Sequence, residues 1–114
     1  RMNEMEKAKY DRLKKAGWTV GTTAEFLGLT DEEAALIEMK LALAHSLRKH
    51  RDAQNLTQEQ LAKMLGSSQS RVAKMEAADS SVSMELLVRS LLMLGATRKE
   101  VGRVIAHDST VPAA

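Results

Sequence analysis

Cysteine is absent from the chain, and with it go disulfides and thiolate metal sites. That absence suits a reducing compartment, and the expected location is the cytoplasm. Proline occurs once, near the C-terminus, and runs of β-branched residues are missing, so little in the chain breaks a helix or favours a strand. No stretch approaches the roughly 20 apolar residues that a membrane span needs, and no signal-peptide pattern opens the chain. Arg1 stands before Met2, and translation is expected to start at Met2. Catalytic signatures are missing too: there is no Gly-rich phosphate loop, no nucleophile–base pair and no two carboxylates placed beside a plausible pocket. Neither an enzyme nor a cofactor is expected.

What is present is a helical vocabulary. Leu, Ala and Met dominate the apolar residues, and all three are good helix formers. The 114 residues suit one modest core with an appended arm. A net charge of +2 implies no particular partner, but its distribution is uneven. Residues 1–20 and 45–76 carry an excess of Lys and Arg, whereas residues 21–44 are acidic and the C-terminal third is balanced. A local basic stretch fits a phosphate-facing surface and fits solvated helix faces equally well.

Punctuation divides the chain. Residues 3–16 read as a polar helix stopped by Gly17, followed by an extended Trp18–Gly21. Thr22 and Glu25 form a capping box for a short helix ending at Gly28. Thr30 and Glu33 form a second box, opening a long helix from about Asp31 to Gln54 with acidic residues at its positive end. Leu36, Met39, Leu43 and Leu47 define one buried face, widened by Ile37, Leu41 and Ala44. Thr57 with Gln60 boxes a helix ending near Gly66; Ser68 caps the next, to about Ala77; Ser83 caps another, to Leu94 with Gly95 as terminator. Thr97 with Glu100 boxes a last helix reaching Ala106. Residues 1–30 thus read as an arm, 31–107 as the folded domain and 108–114 as a flexible tail.

The stretch LTQEQLAKMLGSSQSRVAKMEAADSSVSMELLVRSLLMLG, residues 56–95, carries the functional signal. Two short helices joined by a turn at Gly66 cross steeply, sharing Leu61, Ala62, Leu65, Val72 and Met75 as an apolar face. Left outside that face are Ser68, Gln69, Ser70 and Arg71 at the start of the second helix, with Lys74 one turn on. Gln pairs bidentately with adenine, Arg with guanine, and Ser with several partners. Gln58 opens the preceding helix, where side chain and backbone can meet phosphate.

The pattern L-T-Q-x-x-L-A-x-x-L-G-S-S-Q-S-x-V-x-K-M-E resembles the lambda-repressor-like, or Xre-type, helix-turn-helix family over residues 47–95. The resemblance implies an all-α, compact five-helix domain, here with a short helical N-terminal arm, that binds double-stranded DNA. It implies phosphate contact by Gln58, and a groove face of Ser68, Gln69, Ser70, Arg71 and Lys74. It also implies an ion pair between Arg51 and Glu76. Lys63 joins Gln58 and Lys74 as an expected phosphate contact, although Arg71 and Lys74 are open to either base or phosphate. At Ala77–Ala78 the sequence departs from the family, in which Asn or Gly commonly follows the glutamate; this puts the helix exit in doubt. The upstream segment AGWTVGTTAEFLGLTDEEAALIEMKLALAHSLRKHR is similar to a subgroup, the HigA-like antitoxins, which neutralise small RelE-like toxins and repress their own promoters.

Other features have plainer readings. His45, His50 and His107 read as surface histidines, because His45 and His50 do not share a helix face well and no metal-ligand set surrounds them. Trp18 and Phe26 either seal the arm onto the domain or anchor a partner interface. The Leu and Met residues of 84–94, with Val101, Val104 and Ile105, exceed what a small core requires and suggest a homodimer seam. The resulting expectation is a dimeric repressor reading a palindromic operator, with toxin binding as the alternative chief role.

Overall fold

The computed structural model of the protein describes residues 27–107. Within them lie five helices and no strand: α1 Asp31–Ala53, α2 Gln58–Leu65, α3 Gln69–Glu76, α4 Met84–Met93 and α5 Arg98–Ala106. The all-α expectation is borne out. The expected arm helices, the Trp18–Gly21 stretch, Trp18, Phe26 and the tail 108–114 lie outside the described residues. Residues 39–107 form one compact unit. None of the described helices is long and apolar enough to cross a membrane.

Helix starts follow from local chemistry. At α2, Thr57 N–H donates to Gln60 Oε1 at 2.8 Å while Gln60 N–H donates to Thr57 Oγ1 at 3.1 Å, closing a reciprocal box. Thr30 and Glu33 do the same for α1 at 3.0 and 3.1 Å. The backbone and side chain of Thr30 hold the exposed Glu33 carboxyl below its usual range. Ser68 and Ser83 accept from the N–H groups of Arg71 and Leu86. Thr97 caps α5 by accepting from Glu100 N–H, and the expected box is half closed: Glu100 Oε1 accepts from the Thr97 hydroxyl at 3.5 Å while its Oε2 lies 3.3 Å from His50 Nε2.

The ends of α1 to α4 share one device. The N–H groups of Leu56, Ser67, Asp79 and Ala96 reach back to the carbonyls of Arg51, Ala62, Lys74 and Leu91 at 2.8–3.1 Å. That closure needs a left-handed residue just before each donor. Asn55, Gly66, Ala78 and Gly95 fill those places at φ +57°, +66°, +52° and +98°. Three of the four are suited to this conformation, whereas alanine's Cβ resists it at roughly 1–2 kcal/mol. Ala78→Gly is therefore expected to stabilise the domain by about 0.5–1 kcal/mol, with the loss of a small half-buried methyl offsetting the rest. A thermal melt should move up by about 2–8 °C; a lower Tm would mean that the Ala78 methyl packs better than its backbone strains.

The core draws on every helix and on the loop before α4. Leu43, Ala44 and Leu47 of α1 meet Leu61 and Ala62 of α2, Val72 and Met75 of α3, Val82 of the loop, Leu87 and Leu91 of α4, and Leu94, Ala96 and Val101 beyond. Ala62 and Leu61 are buried where α2 packs on α3, and the small Ala62 lets the pair approach closely. Two expectations need correction. Leu36, Ile37 and Leu41, expected on the buried face of α1, are 52%, 41% and 50% exposed. Leu36 shares the face of Leu43 and Leu47 two turns nearer the start. Periodicity assigns a face, but not how far along it the packing partners reach. The expected apolar surplus of α4 and α5 is also smaller. Leu87, Leu91, Leu94 and Val101 are buried, and Met84, Leu86, Val88, Val104 and Ile105 pack against them. Leu92 and Met93 remain exposed.

Candidate nucleic-acid interface

α3 is a two-faced helix. Val72 and Met75 point into the core with essentially no exposure, and Gln69, Ser70, Arg71 and Lys74 occupy the opposite, solvent-facing side. Ser68 is exposed as well, but its hydroxyl is already engaged: it accepts from Arg71 N–H and lies 3.2 Å from Ser70 Oγ. Its first duty is to cap the helix. The first turn of α3 carries no acidic residue, so no carboxylate of that turn competes for the exposed Arg71 guanidinium. Lys63 is exposed on α2.

Behind this face stands an ion pair. Arg51 Nε donates to Glu76 Oε2 at 2.5 Å and Arg51 Nη2 to Glu76 Oε1 at 3.0 Å, a two-pronged contact across 25 residues. The Arg51 side chain is 12% exposed and that of Glu76 6%. A further donation from Arg51 Nη1 to the Leu56 carbonyl, at 2.8 Å, ties the guanidinium to the turn before α2. Asp52 adds a weaker contact at 3.4 Å. The hydrogen bonds that Arg51 donates to Glu76 raise the Arg51 pKa further. Burial by itself would push the Glu76 carboxyl up, but hydrogen bonds from Arg51 and Gln58 and the charges of Arg51 and Arg48 outweigh it and hold the group below its usual range.

Gln58 connects this pair to the exposed face. Its Nε2 donates to Glu76 Oε1 at 3.1 Å, and its Oε1 accepts from Gln69 Nε2 at 2.7 Å. Arg51, Glu76, Gln58 and Gln69 thus form one continuous chain of hydrogen bonds from the interior to the surface. A shallow open concavity lies where it surfaces, lined by Arg51, Thr57, Gln58, Glu59 and Gln69. The sequence reading placed Gln58 and Gln69 separately and missed both links. One signal was available: each glutamine directly follows an N-cap, Thr57 or Ser68, so the two occupy equivalent places at the starts of neighbouring helices.

Two short helices crossing at a glycine turn, the second with a polar outer face, make up a DNA-reading unit. Residues 47–101 match the helix-turn-helix family. This segment is a lambda-repressor-like helix-turn-helix domain. The chain matches no curated protein and no solved structure. Within that domain, α2 and α3 are the two helices that flank the turn at Gly66. The family match begins at Leu47 and so does not reach most of the upstream segment on which the antitoxin resemblance rests. Of the histidines, His50 lies against Glu100, while His45 and His107 are exposed. Among the described residues, no cluster of three or more His, Asp or Glu side chains is arranged to hold a metal.

Proposed function

We propose that the protein is a dimeric, sequence-specific repressor that inserts α3 into the major groove of a short palindromic operator. The observation that carries this reading is the two-faced α3. Its apolar side is fully used in the core, and its outer side gathers Gln69, Ser70, Arg71 and Lys74 with no acidic neighbour in the first turn. Gln69, Ser70 and Arg71 read base edges, and Gln58, Lys63 and Lys74 hold phosphates and set the register. Gln58 Nε2 has a second hydrogen beyond the one given to Glu76, which suits a phosphate oxygen. The exposed Leu92 and Met93 favour self-association through α4, and two protomers supply the two half-sites that a palindrome requires.

Fluorescence-anisotropy titration against the gene's own upstream DNA and a scrambled duplex tests this reading. Binding to the upstream DNA is expected to be at least about 10³-fold tighter. Lys63 and Lys74 together present four cations per dimer, so the affinity should fall roughly 10²-fold between about 50 and 200 mM salt. Equal, weak binding to both duplexes would overturn the repressor reading and leave only generic phosphate attraction.

A further inference from the structure

We propose that Asp79, in the loop after α3, is a built-in restraint on DNA binding: its carboxylate is fixed beside Lys74 and opposes the phosphate that Lys74 holds. The proposal rests on the phosphate-contacting role given above to Lys74.

Backbone and side chain both fix the place of this carboxylate. Asp79 N–H donates to the Lys74 carbonyl at 3.0 Å, in the closure that ends α3 through the left-handed Ala78. Asp79 is thereby tied to the last turn of α3, where Lys74 stands. Its Oδ2 accepts from the N–H of Ser81 at 2.9 Å and from the Ser81 hydroxyl as well. Two donors from a residue two places on close an Asx-type turn and limit how far the carboxylate can swing.

Two cations flank it. Lys74 is on the exposed side of α3. Lys40 belongs to α1 and precedes the buried Leu43 and Ala44 by three and four residues, so it continues the core-facing side of that helix by one turn and is half-buried. Hydrogen bonds from the Ser81 hydroxyl and N–H hold the Asp79 carboxyl below its usual range, and the charges of Lys74 and Lys40 lower it further. The other acid of α3, Glu76, is turned inward onto Arg51, which leaves Asp79 as the carboxylate beside Lys74. A phosphate held by Lys74 meets it as a like charge. Phosphate attraction is common to every duplex, and the base-reading residues sit at the opposite end of α3. The restraint therefore lowers affinity for operator and scrambled DNA alike and leaves their ratio to Gln69, Ser70 and Arg71.

Asp79→Asn removes the charge and keeps a side-chain oxygen for the Ser81 N–H, so the turn is retained. In anisotropy titrations at about 50 mM salt, this variant is expected to bind the upstream and the scrambled duplex roughly two- to fivefold tighter per protomer, on the order of 4- to 25-fold for the dimer. The gain should shrink at about 200 mM salt, because exposed charges are screened. In a Lys74→Ala background the same change should tighten binding by less than about twofold, since no phosphate is then held beside Asp79. Unchanged or weaker binding by Asp79→Asn overturns the proposal. A gain undiminished in the Lys74→Ala background overturns it too, because the carboxylate would then act elsewhere than at Lys74. Should Asp79→Asn lower the thermal midpoint, Asp79→Ser, whose hydroxyl accepts from the same N–H, takes its place with the same expectation. Native protein that binds both duplexes equally defeats the repressor reading, and the Asp79→Asn comparison still decides the restraint, which needs phosphate contact alone.

Discussion

Glu76→Ala is expected to cost the domain about 3–5 kcal/mol, a large share of the stability of a small domain. The reason is the partner left behind. Arg51 is 12% exposed, cannot lose its proton, and would retain only the Leu56 carbonyl and the more distant Asp52. Urea unfolding of Glu76→Ala, Arg51→Ala and the apolar double variant Arg51→Met/Glu76→Leu separates the effects. The double variant should be closer to the native protein than either single one, because no charge is stranded. If the single variants lose under about 1 kcal/mol, the pair behaves as a surface bridge and its burial is immaterial. Acid provides a second view. The Glu76 carboxyl in the folded domain sits below its ordinary value near 4.5. Its ionised form therefore contributes fully above that value, and the contribution fades as pH falls through the lower folded value. Native stability should decline in that acid window, and Glu76→Gln should lack this part of the decline.

The contrast between Glu76 and the helix caps shows what the sequence makes legible. Caps are local: Thr57 meets Gln60, and Ser68 meets Arg71, three residues away, so a short motif contains both partners and every described helix starts close to its expected place. Helix exits at Gly66 and Gly95 are equally plain, since glycine advertises the left-handed residue that the closure needs. Asn55 is the weaker of the usual signals for that conformation, and Ala78 adopts it with no signal at all. At Ala78 the domain imposes it on a residue that resists it. Pairing of Gln58 with Glu76 spans 18 residues and exists only once α2 and α3 have crossed, so no window of sequence contains it. Burial shows the same division. Leu43 and Leu47 share a face, and that much is periodicity; whether Leu36 on that face is covered depends on where neighbouring elements stop.

Replacing Gln69 and Arg71 together by Ala should abolish operator preference, leaving the double variant bound to operator and scrambled duplexes with similar, weak affinity. Each good bidentate base contact is worth about 1–3 kcal/mol, and a dimer would lose two such residues from each half-site, enough to erase a 10³-fold preference. Both side chains are exposed, so the thermal midpoint should scarcely move, and folding will not account for the loss. Arg71→Ala alone resolves what chain position leaves open. An arginine on a base loses discrimination at one position of the operator and keeps the salt dependence. An arginine on phosphate weakens every duplex alike and makes the salt slope shallower by about one per protomer. Retention of full operator preference by the double variant would remove α3 as the reading head. With Val72 and Met75 committed to the core, no other face of that helix could replace it.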